Sequence, residues 1–451
     1  MKSEDGSCMI NKECPEDGTI CPEPYGAGQR RKTMAMTKKP VTGMKDILPA
    51  EMQVRDYVIG LIQETYKSFG FSHIETPCME NIGNLSSKQG GENEKLIFKV
   101  LKRGEKLHIA EAKEEADVVD CGMRYDLTVP LSRYYSNNAS VLPAPFKALQ
   151  MGNVWRADRP QRGRFRQFMQ CDIDILGDPT CLAEIELMSA TTTLLGRLGF
   201  QDFKVCFNDR RVLKAMAAYS GFEERDYDQV FIILDKMDKI GMDGVEAELL
   251  ESGYEKASVE KYMGLFSGME GSDDALAYLT GVLDGVIAPD VFPGMKTIIE
   301  SVKAAAACEF RLVFDPTLVR GMSYYTGSIF EIKMEELGGS VAGGGRYDEM
   351  IGRFTGMNTP ACGFSIGFER IITILMEKGF TVPEQGPRKA YLIEKGMPVE
   401  GMVKVLAEAK EERAAGVQVL VANMNKNKKF QKEQLSKEGY TEFKEFYTER
   451  K

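Results

Sequence analysis

The stretch FKALQMGNVWRADRPQRGRFRQFMQCDIDIL, residues 146–176, contains two runs of alternating apolar and polar residues separated by the loop RPQRG. A Pro- and Gly-containing loop between two such runs predicts an antiparallel β-hairpin. Because alternate residues of a strand share a face, one face of the second strand carries polar and aromatic side chains: Arg166, Phe168, Gln170, Asp172 and Asp174. Such a face is either the solvated side of a sheet or the lining of a ligand site.

Cations in and beside this hairpin favour the ligand site. Arg156 lies on the first strand, where the hairpin brings it near Phe168 and Gln170. An aromatic ring can stack on a nucleotide base while a guanidinium binds its phosphate. The connecting loop adds Arg159, Arg162 and Arg164, and the first two are placed where they can reach a polyanion.

A second stretch, LVRGMSYYTGSIFE at residues 318–331, is predicted to be a strand but carries Arg320, Tyr324 and Tyr325. A guanidinium matches a carboxylate in bidentate geometry, and tyrosine hydroxyls donate to or accept from a buried polar ring. Both tyrosines cannot face one pocket from a flat strand, so we expect a bend or bulge at Gly321. We interpret this strand as one wall of an amino-acid pocket.

The stretches VAGGGRYD, residues 341–348, and GFSIGFERI, residues 363–371, add weaker signals. The three consecutive glycines either let the backbone approach a ligand closely or form a flexible turn. Arg370 is predicted at the N-terminal end of a helix, either as a site for phosphate oxygens or as a surface arginine. Neither stretch matches a P-loop or a dinucleotide-binding fingerprint.

Composition limits the classes of protein that the chain can represent. Its 451 residues have a formal net charge of −9, with 43% hydrophobic and 28% charged residues, which is ordinary for a globular protein. No apolar run predicts a membrane span, and the N-terminus lacks the apolar core of a secretory signal. The ten cysteines include no CxxC pair, and only two histidines exist, His73 and His108. We therefore expect free thiols in a reducing cytoplasm, and neither a zinc site nor a His-based triad.

The pattern along the chain predicts an α+β fold in several parts. Residues 1–40 have no hydrophobic period and are predicted to be a disordered tail, followed by a large domain over 41–380. Within that domain, 209–305 contains helix after helix and is predicted to be a helical insertion. A Pro- and Gly-containing linker, 381–389, leads to a small α/β domain over 390–451 with the order β-α-β-α-β.

Taken together, these segments resemble the class II aminoacyl-tRNA synthetases, and within them the histidyl-tRNA synthetase family. The resemblance runs from about Val41 to the C-terminus. Three segments are similar to the motifs shared across the class: FSHIETP (71–77), VWRADRPQRGRFRQF (154–168) and GFSIGFERI (363–371). Two are similar to the histidine-specific pair: LVRGMSYYTG (318–327) and AGGGRYD (342–348).

The resemblance implies a class II catalytic domain whose central antiparallel sheet is flanked by helices, with the helical insertion described above. It also implies a C-terminal anticodon-binding domain, here shortened, and a homodimer with the first motif at its interface. Ser323 departs from the family pattern, which often has Asp at that position. Because Ser323 should point away from Arg320 on a strand, we expect it to tune activity rather than abolish it.

The resemblance also implies which residues bind ATP, with Mg²⁺ as its companion ion; no residue is assigned as a metal ligand. Arg156 would hold the α-phosphate and the amino-acid carboxylate, and Phe168 would stack on adenine. Asp158 would contact the adenine edge, and Arg164 and Arg370 would bind the outer phosphates.

For L-histidine, the resemblance implies a second set of contacts. The segment Asp126, Leu127 and Thr128 would bind the α-amino group, with Gln170 nearby. Asp174 and Tyr325 would recognise the imidazole ring, with Tyr324 beside them. Arg320 would reach the α-phosphate, which makes Arg156, Arg320 and Gln170 the expected catalytic residues. The loop residues Arg159, Gln161 and Arg162 would meet the tRNA.

The implied activity is that of a ligase, which activates histidine with ATP to histidyl-adenylate and transfers it to the 3′ end of tRNA(His). The alternative is a non-catalytic, synthetase-like regulatory subunit of ATP phosphoribosyltransferase. Such paralogues usually lack the C-terminal domain and have degraded ATP motifs. This chain has both a C-terminal domain and the residues of the ATP motifs, so the ligase is favoured over this alternative and over a generic nucleotide binder.

Overall fold

A computed structural model describes residues 37–86, 95–272, 274–319, 324–383 and 386–448. Its strands are β1 (Ser72–Ile74), β2 (Met79–Asn81), β3 (Lys99–Leu101), β4 (Val119–Met123), β5 (Phe146–Trp155), β6 (Gln167–Leu176), β7 (Lys204–Asp209), β8 (Arg311–Phe314), β9 (Ser328–Met334), β10 (Gly339–Arg346), β11 (Ala361–Ile366), β12 (Arg388–Ile393), β13 (Gln418–Asn423) and β14 (Glu442–Phe446).

Its helices are α1 (Pro49–Ser68), α2 (Ile82–Leu85), α3 (Thr128–Asn138), α4 (Leu182–Arg197), α5 (Arg210–Ser220), α6 (Tyr227–Leu234), α7 (Met237–Glu251), α8 (Lys256–Glu270), α9 (Ala275–Val282), α10 (Val291–Ala304), α11 (Asp348–Thr355), α12 (Phe368–Glu377), α13 (Val399–Ala414) and α14 (Lys428–Lys437). None of the helices in the described ranges is both long and apolar enough to cross a bilayer.

The largest sheet has eight strands in the order β1-β5-β6-β11-β10-β9-β7-β8. Its strands are antiparallel from β5 through to β7, which confirms the predicted sheet at its centre. The outer pairs, β1 with β5 and β7 with β8, are parallel, so the sheet as a whole is mixed. Helices α1, α4 and α12 contact this sheet or one another, and the core of α4 includes Leu187, Met188 and Leu194, all fully buried.

The predicted hairpin is confirmed. Strands β5 and β6 pair in register from Phe146 opposite Leu176 to Trp155 opposite Gln167. The backbone N–H of Arg156 donates to the carbonyl of Arg166 at 2.8 Å, which extends the pairing toward the loop. The face of β6 that carries Asp172 and Asp174 is buried and not solvated: both side chains are 4% exposed.

One sequence prediction is wrong in this region, and one of two alternatives that the sequence left open is excluded. The stretch 318–331 does not form one strand: Arg320, Gly321 and Ser323 lie outside the described residues, Tyr324 lies in a turn, and the strand β9 begins only at Ser328. The run of three glycines is not a flexible turn but the buried strand β10.

The reason for the glycines is the close approach of neighbouring strands. A Cβ on Gly344 would lie 2.0 Å from the carbonyl oxygen of Gly363, and a Cβ on Gly345 would lie 2.4 Å from that of Ser328. Both distances are far below van der Waals contact, so only glycine fits.

The remaining parts follow the sequence pattern. Helices α5 to α10 fill the stretch predicted to be all helical, and Asp209 caps α5 by accepting from the Arg211 N–H at 2.8 Å. The C-terminal order β12-α13-β13-α14-β14 is as predicted, with β12 central in a parallel sheet. Strand β12 begins at Arg388, inside the predicted linker. The division into domains stays a prediction, and nearly all of the predicted tail lies outside the described residues.

A buried ion pair joins helix α1 to helix α12. The guanidinium of Arg55 donates to both carboxylate oxygens of Glu369 at 2.7 and 2.8 Å, and each side chain is 7% exposed. We expect Arg55→Met to lower the free energy of unfolding by about 3–5 kcal/mol, because it leaves the Glu369 charge buried and unpaired. Chemical denaturation measures this change. The double variant Arg55→Met/Glu369→Gln removes both charges and should recover most of the loss; equal instability of the two variants would contradict the explanation.

Candidate functional site

One cavity of about 290 Å³ lies where the β5–β6 hairpin, β10, β11 and the start of α12 meet. Its wall includes most of the predicted site residues: Asp126, Thr128, Arg156, Asp158, Arg164, Phe168, Gln170, Asp174, Tyr324, Tyr325 and Arg370. Leu127 is buried beside it, and its carbonyl accepts from Gln150 at 3.1 Å. The predicted residue Arg320 lies outside the described residues. The structure therefore brings together the two faces that the sequence singled out, the hairpin and the tyrosine segment.

Cations and an aromatic ring cluster at one part of this wall. The guanidinium carbon of Arg156 lies 5.2 Å from the centroid of the Phe168 ring, and its Nε donates to the carbonyl of Tyr125 at 2.8 Å. Arg164 pairs with Asp158 at 3.0 Å. An arginine held over a ring in this way suits a nucleotide, because the base can stack on an aromatic ring while the phosphate pairs with the guanidinium.

Arg370 lies in the first turn of α12, as the sequence predicted for a phosphate contact. Its guanidinium donates to the carbonyl of Ser340 on β10, which holds it at the wall of the cavity. The N-terminus of α12 is therefore beside the cavity, where its N–H groups and dipole favour negative charge.

Three buried carboxyl groups make another part of the cavity wall acidic. Asp126, Asp172 and Asp174 are 3–4% exposed and all line the cavity. Burial raises the pKa of Asp126 to about 6 and that of Asp174 to about 7. Burial and then the charge of Asp174 raise the pKa of Asp172 well above its ordinary value. Buried carboxyl groups that are costly to ionise favour a ligand that brings positive charge.

Two acceptors in the cavity lack a hydrogen-bond partner in the described part of the protein. They are Oδ2 of Asp126 and Oε1 of Gln170, and both are buried. Asp126 is held through its other oxygen, which accepts from the Val129 N–H at 3.1 Å at the start of α3. Buried acceptors are nearly always satisfied, so this pair points to a ligand with N–H donors.

Residues from other segments of the chain hold the Asp174 side chain in position. Its Oδ1 accepts from the Tyr347 hydroxyl at 2.5 Å. A Cβ on Gly363 would lie 2.0 Å from the same oxygen, so glycine makes the room that Asp174 occupies. The rings of Tyr324 and Tyr325 are 4.8 Å apart, and the Tyr324 ring lies 6.1 Å from that of Tyr347. These rings and this acid enclose a small polar and aromatic end of the cavity.

Sequence reasoning missed Asp172, Tyr347 and Ser365 as site residues. Asp172 had a usable signal, since it shares its strand face with Gln170 and Asp174. Tyr347 stands within the quoted AGGGRYD segment, and Ser365 within GFSIGFERI. For these two, the pairing of β10 with β11 and of β11 with β6 had to be known first.

The tip of the loop between β5 and β6, residues 159–162, is not part of the cavity lining, whereas Asp158 and Arg164 of the same loop are. Arg159 and Gln161 are exposed, and Gln161 pairs with Arg164 through their backbones at 3.0 and 2.9 Å, which closes a tight turn. Arg162 is also exposed, but its Nε donates to Glu377 at the end of α12 at 2.9 Å. A nucleic acid that used Arg162 would have to compete with this carboxylate.

Comparison with known proteins agrees with the geometry. The family model described as Histidyl-tRNA synthetase matches residues 43–371. A histidine–tRNA ligase of Leifsonia xyli subsp. xyli is 41% identical over 422 residues, which cover 91% of this chain and 95% of the relative. One of Christiangramia forsetii is 35% identical over 358 residues, covering 76% of this chain and 78% of the relative.

Solved structures give the same result. The crystal structure of histidyl-tRNA synthetase from Nostoc sp. PCC 7120 matches with a TM-score of 0.72 and 26% identity, covering 90% of each chain. A Bacillus halodurans structure titled ATP phosphoribosyltransferase regulatory subunit/histidyl-tRNA synthetase matches with a TM-score of 0.73 over 92% of this chain and all of the other. Its identity is 21%, so that likeness concerns the fold alone. On the family model and the relatives together, this chain belongs to the histidyl-tRNA synthetase family.

Proposed function

We propose that this chain is a histidine–tRNA ligase that activates L-histidine with ATP and transfers it to tRNA(His). One observation carries the proposal: a single cavity joins the Arg156–Phe168 pair with the buried acids Asp126 and Asp174. The first pair suits a nucleotide, and the acids suit a ligand that has an ammonium group and a ring N–H. The histidine–tRNA ligases to which the chain is similar carry this activity in their names.

The amino acid would lie with its ammonium group between the two unpartnered acceptors, Oδ2 of Asp126 and Oε1 of Gln170. Its imidazole would lie at the end enclosed by Asp174, Tyr325 and Tyr347. Asp174 would accept from a ring N–H, and the Tyr347 hydroxyl keeps it in place. An analogue without that N–H would leave a buried carboxylate unpaired, which is how a polar pocket rejects it.

ATP would lie with its base on Phe168 and its α-phosphate at Arg156. Among the residues that the structure describes, no group of three or more His, Cys, Asp or Glu side chains is placed to hold a metal ion. Magnesium would enter with ATP as part of the substrate MgATP. Arg370 and the N-terminus of α12 would face the outer phosphates.

In the first step, a carboxylate oxygen of histidine attacks the α-phosphorus and pyrophosphate leaves with the broken P–O bond. The protein supplies no nucleophile; it aligns the two substrates and neutralises the charge that develops on the phosphate oxygens. Arg156 is placed for that role, and Arg320 shares it on the resemblance alone. A terminal hydroxyl of the tRNA then attacks the acyl carbon of histidyl-adenylate and releases AMP.

The contacts with tRNA through Arg159, Gln161 and Arg162, the anticodon contacts of the C-terminal domain, the homodimer and the cytoplasmic location rest on the family resemblance. The two exposed loop residues Arg159 and Gln161 are compatible with contact to a nucleic acid.

The test is ATP–pyrophosphate exchange with the purified full chain and each of the twenty amino acids in turn. We expect exchange with histidine alone, followed by charging of tRNA(His) and of no other tRNA. The regulatory-subunit alternative is less supported, since the cavity keeps its nucleotide-binding arginines. It predicts histidine binding without exchange, together with co-purification of a phosphoribosyltransferase, and that combination would refute the ligase.

A further inference from the structure

The amide of Gln170 is held by two residues that have no role in the scheme above. Ser365 on β11 lies directly opposite Asp172 on β6 in the sheet register. The Ser365 hydroxyl donates to Oδ1 of Asp172 at 2.5 Å. Nε2 of Gln170 donates to the Ser365 oxygen at 3.1 Å and makes longer contacts of 3.4 and 3.5 Å with the Asp172 carboxylate. The three side chains therefore form a closed polar group within the cavity wall.

The direction of these hydrogen bonds matters because a glutamine amide has the same shape in its two flipped orientations. Its neighbours decide which end, the N–H₂ donor or the oxygen acceptor, is turned to the ligand. An ionised carboxylate only accepts, so the Ser365 proton is used toward Asp172, and the Ser365 oxygen is left to accept from Gln170. The amide nitrogen is thereby committed to the protein, and Oε1 is the end without a protein partner.

We propose that Asp172 and Ser365 are positioning residues that lock the Gln170 amide with its oxygen toward the α-ammonium group of the amino-acid substrate. The inference rests on the proposed function, because it needs an amino acid in the cavity. In the flipped orientation, the N–H₂ group would face the ammonium group, so two sets of donors would meet. Gln170 is 9% exposed, so little water can compensate for that mismatch.

Ligand binding supports the ionised state of Asp172 that this arrangement requires. Burial is the main cause that raises the pKa of Asp172, followed by the charge of Asp174, whereas the hydrogen bond from Ser365 and the charge of Arg156 lower it. A bound ammonium group would add a second positive charge that favours the ionised form of Asp172.

The test compares two ligands on the full-length protein: L-histidine and 3-(imidazol-4-yl)propionate, which is histidine without its amino group. Isothermal titration gives the dissociation constant of each ligand for the wild type, Asp172→Asn and Ser365→Ala. Asp284→Asn, at an exposed site in the helical stretch, is the matched control. We expect Asp172→Asn to weaken histidine binding by about 10–100-fold and the amine-free ligand by less than about threefold. Ser365→Ala should show the same selectivity with a smaller loss, about 3–10-fold.

Equal weakening of both ligands would assign Asp172 a structural role only, and unchanged binding of histidine would also overturn the inference. Ser365→Ala keeps the charge in place, so it decides the matter if Asp172→Asn does not fold. Failure of the inference is distinct from failure of the proposed function. In the first case the wild type still catalyses histidine-dependent exchange, and in the second case it does not.

Discussion

Arg156→Ala is expected to lower kcat of histidine-dependent ATP–pyrophosphate exchange by about 10³-fold, since removal of one preorganised charge at a transferring phosphoryl group has effects of this size. The guanidinium is positioned from two sides, by the Tyr125 carbonyl at 2.8 Å and by the Phe168 ring at 5.2 Å. It is therefore oriented before the substrates bind. The loss should fall on kcat more than on KM for ATP, because the charge it meets develops in the transition state.

One further variant separates the geometry of the Arg156 guanidinium from its charge, and a second variant serves as a control. Arg156→Lys keeps the charge but loses the planar donor pair, so we expect it to recover only a small part of the activity. Arg225→Ala is the matched arginine control: that side chain is exposed, is paired with Glu223 and is not part of the cavity wall, so its loss should leave kcat near the wild-type value. If Arg156→Ala kept more than about a tenth of the wild-type kcat, its assignment to the reacting phosphate would be wrong.

The sequence predicted those parts of the site that depend on local pattern. Alternation along β5 and β6 was enough to place Arg156 near Phe168 and Gln170 with Asp174 on one face, because a hairpin fixes its own register. Helix signals likewise placed Arg370 in the first turn of α12. Here the residues that decide the structure are close together in the chain.

Prediction failed where contacts between distant segments decide the structure. The segment with Tyr324 and Tyr325 has the composition of a strand. In the structure, however, the N–H of Thr326 donates to the Arg346 carbonyl at 2.8 Å, in an irregular segment that precedes β9. The same holds for the glycines of β10, whose need for space comes from β9 and β11. Neither partner is visible in the local pattern.

Asp174→Asn is expected to lower kcat/KM for histidine in the exchange reaction by about 10²–10³-fold, because the charge-assisted acceptor for the ring N–H is lost. The shape of the side chain is kept, so the fit over Gly363 and the hydrogen bond from Tyr347 can persist. The loss should therefore appear mainly as weaker histidine binding, while KM for ATP stays near the wild-type value. Asp284→Asn again serves as the exposed control, and near-normal activity of Asp174→Asn would remove Asp174 from ring recognition.

The same substitution should make the ligand-free protein more stable at pH 8. The pKa of Asp174 in the folded state is about 7, raised first by burial, and it exceeds the unfolded value of about 3.9. A raised carboxyl pKa means that the folded state binds more protons, so the wild type loses stability as pH rises from about 4 to 7. Asparagine has no such loss, and we expect it to add about 2–4 kcal/mol at pH 8 but little at about pH 4. Urea unfolding at both pH values measures this difference. If Asp174→Asn is more stable but less active than the wild type, Asp174 is a buried acid whose role is to bind the ligand. If its free energy of unfolding at pH 8 is equal to or lower than that of the wild type, this explanation is contradicted.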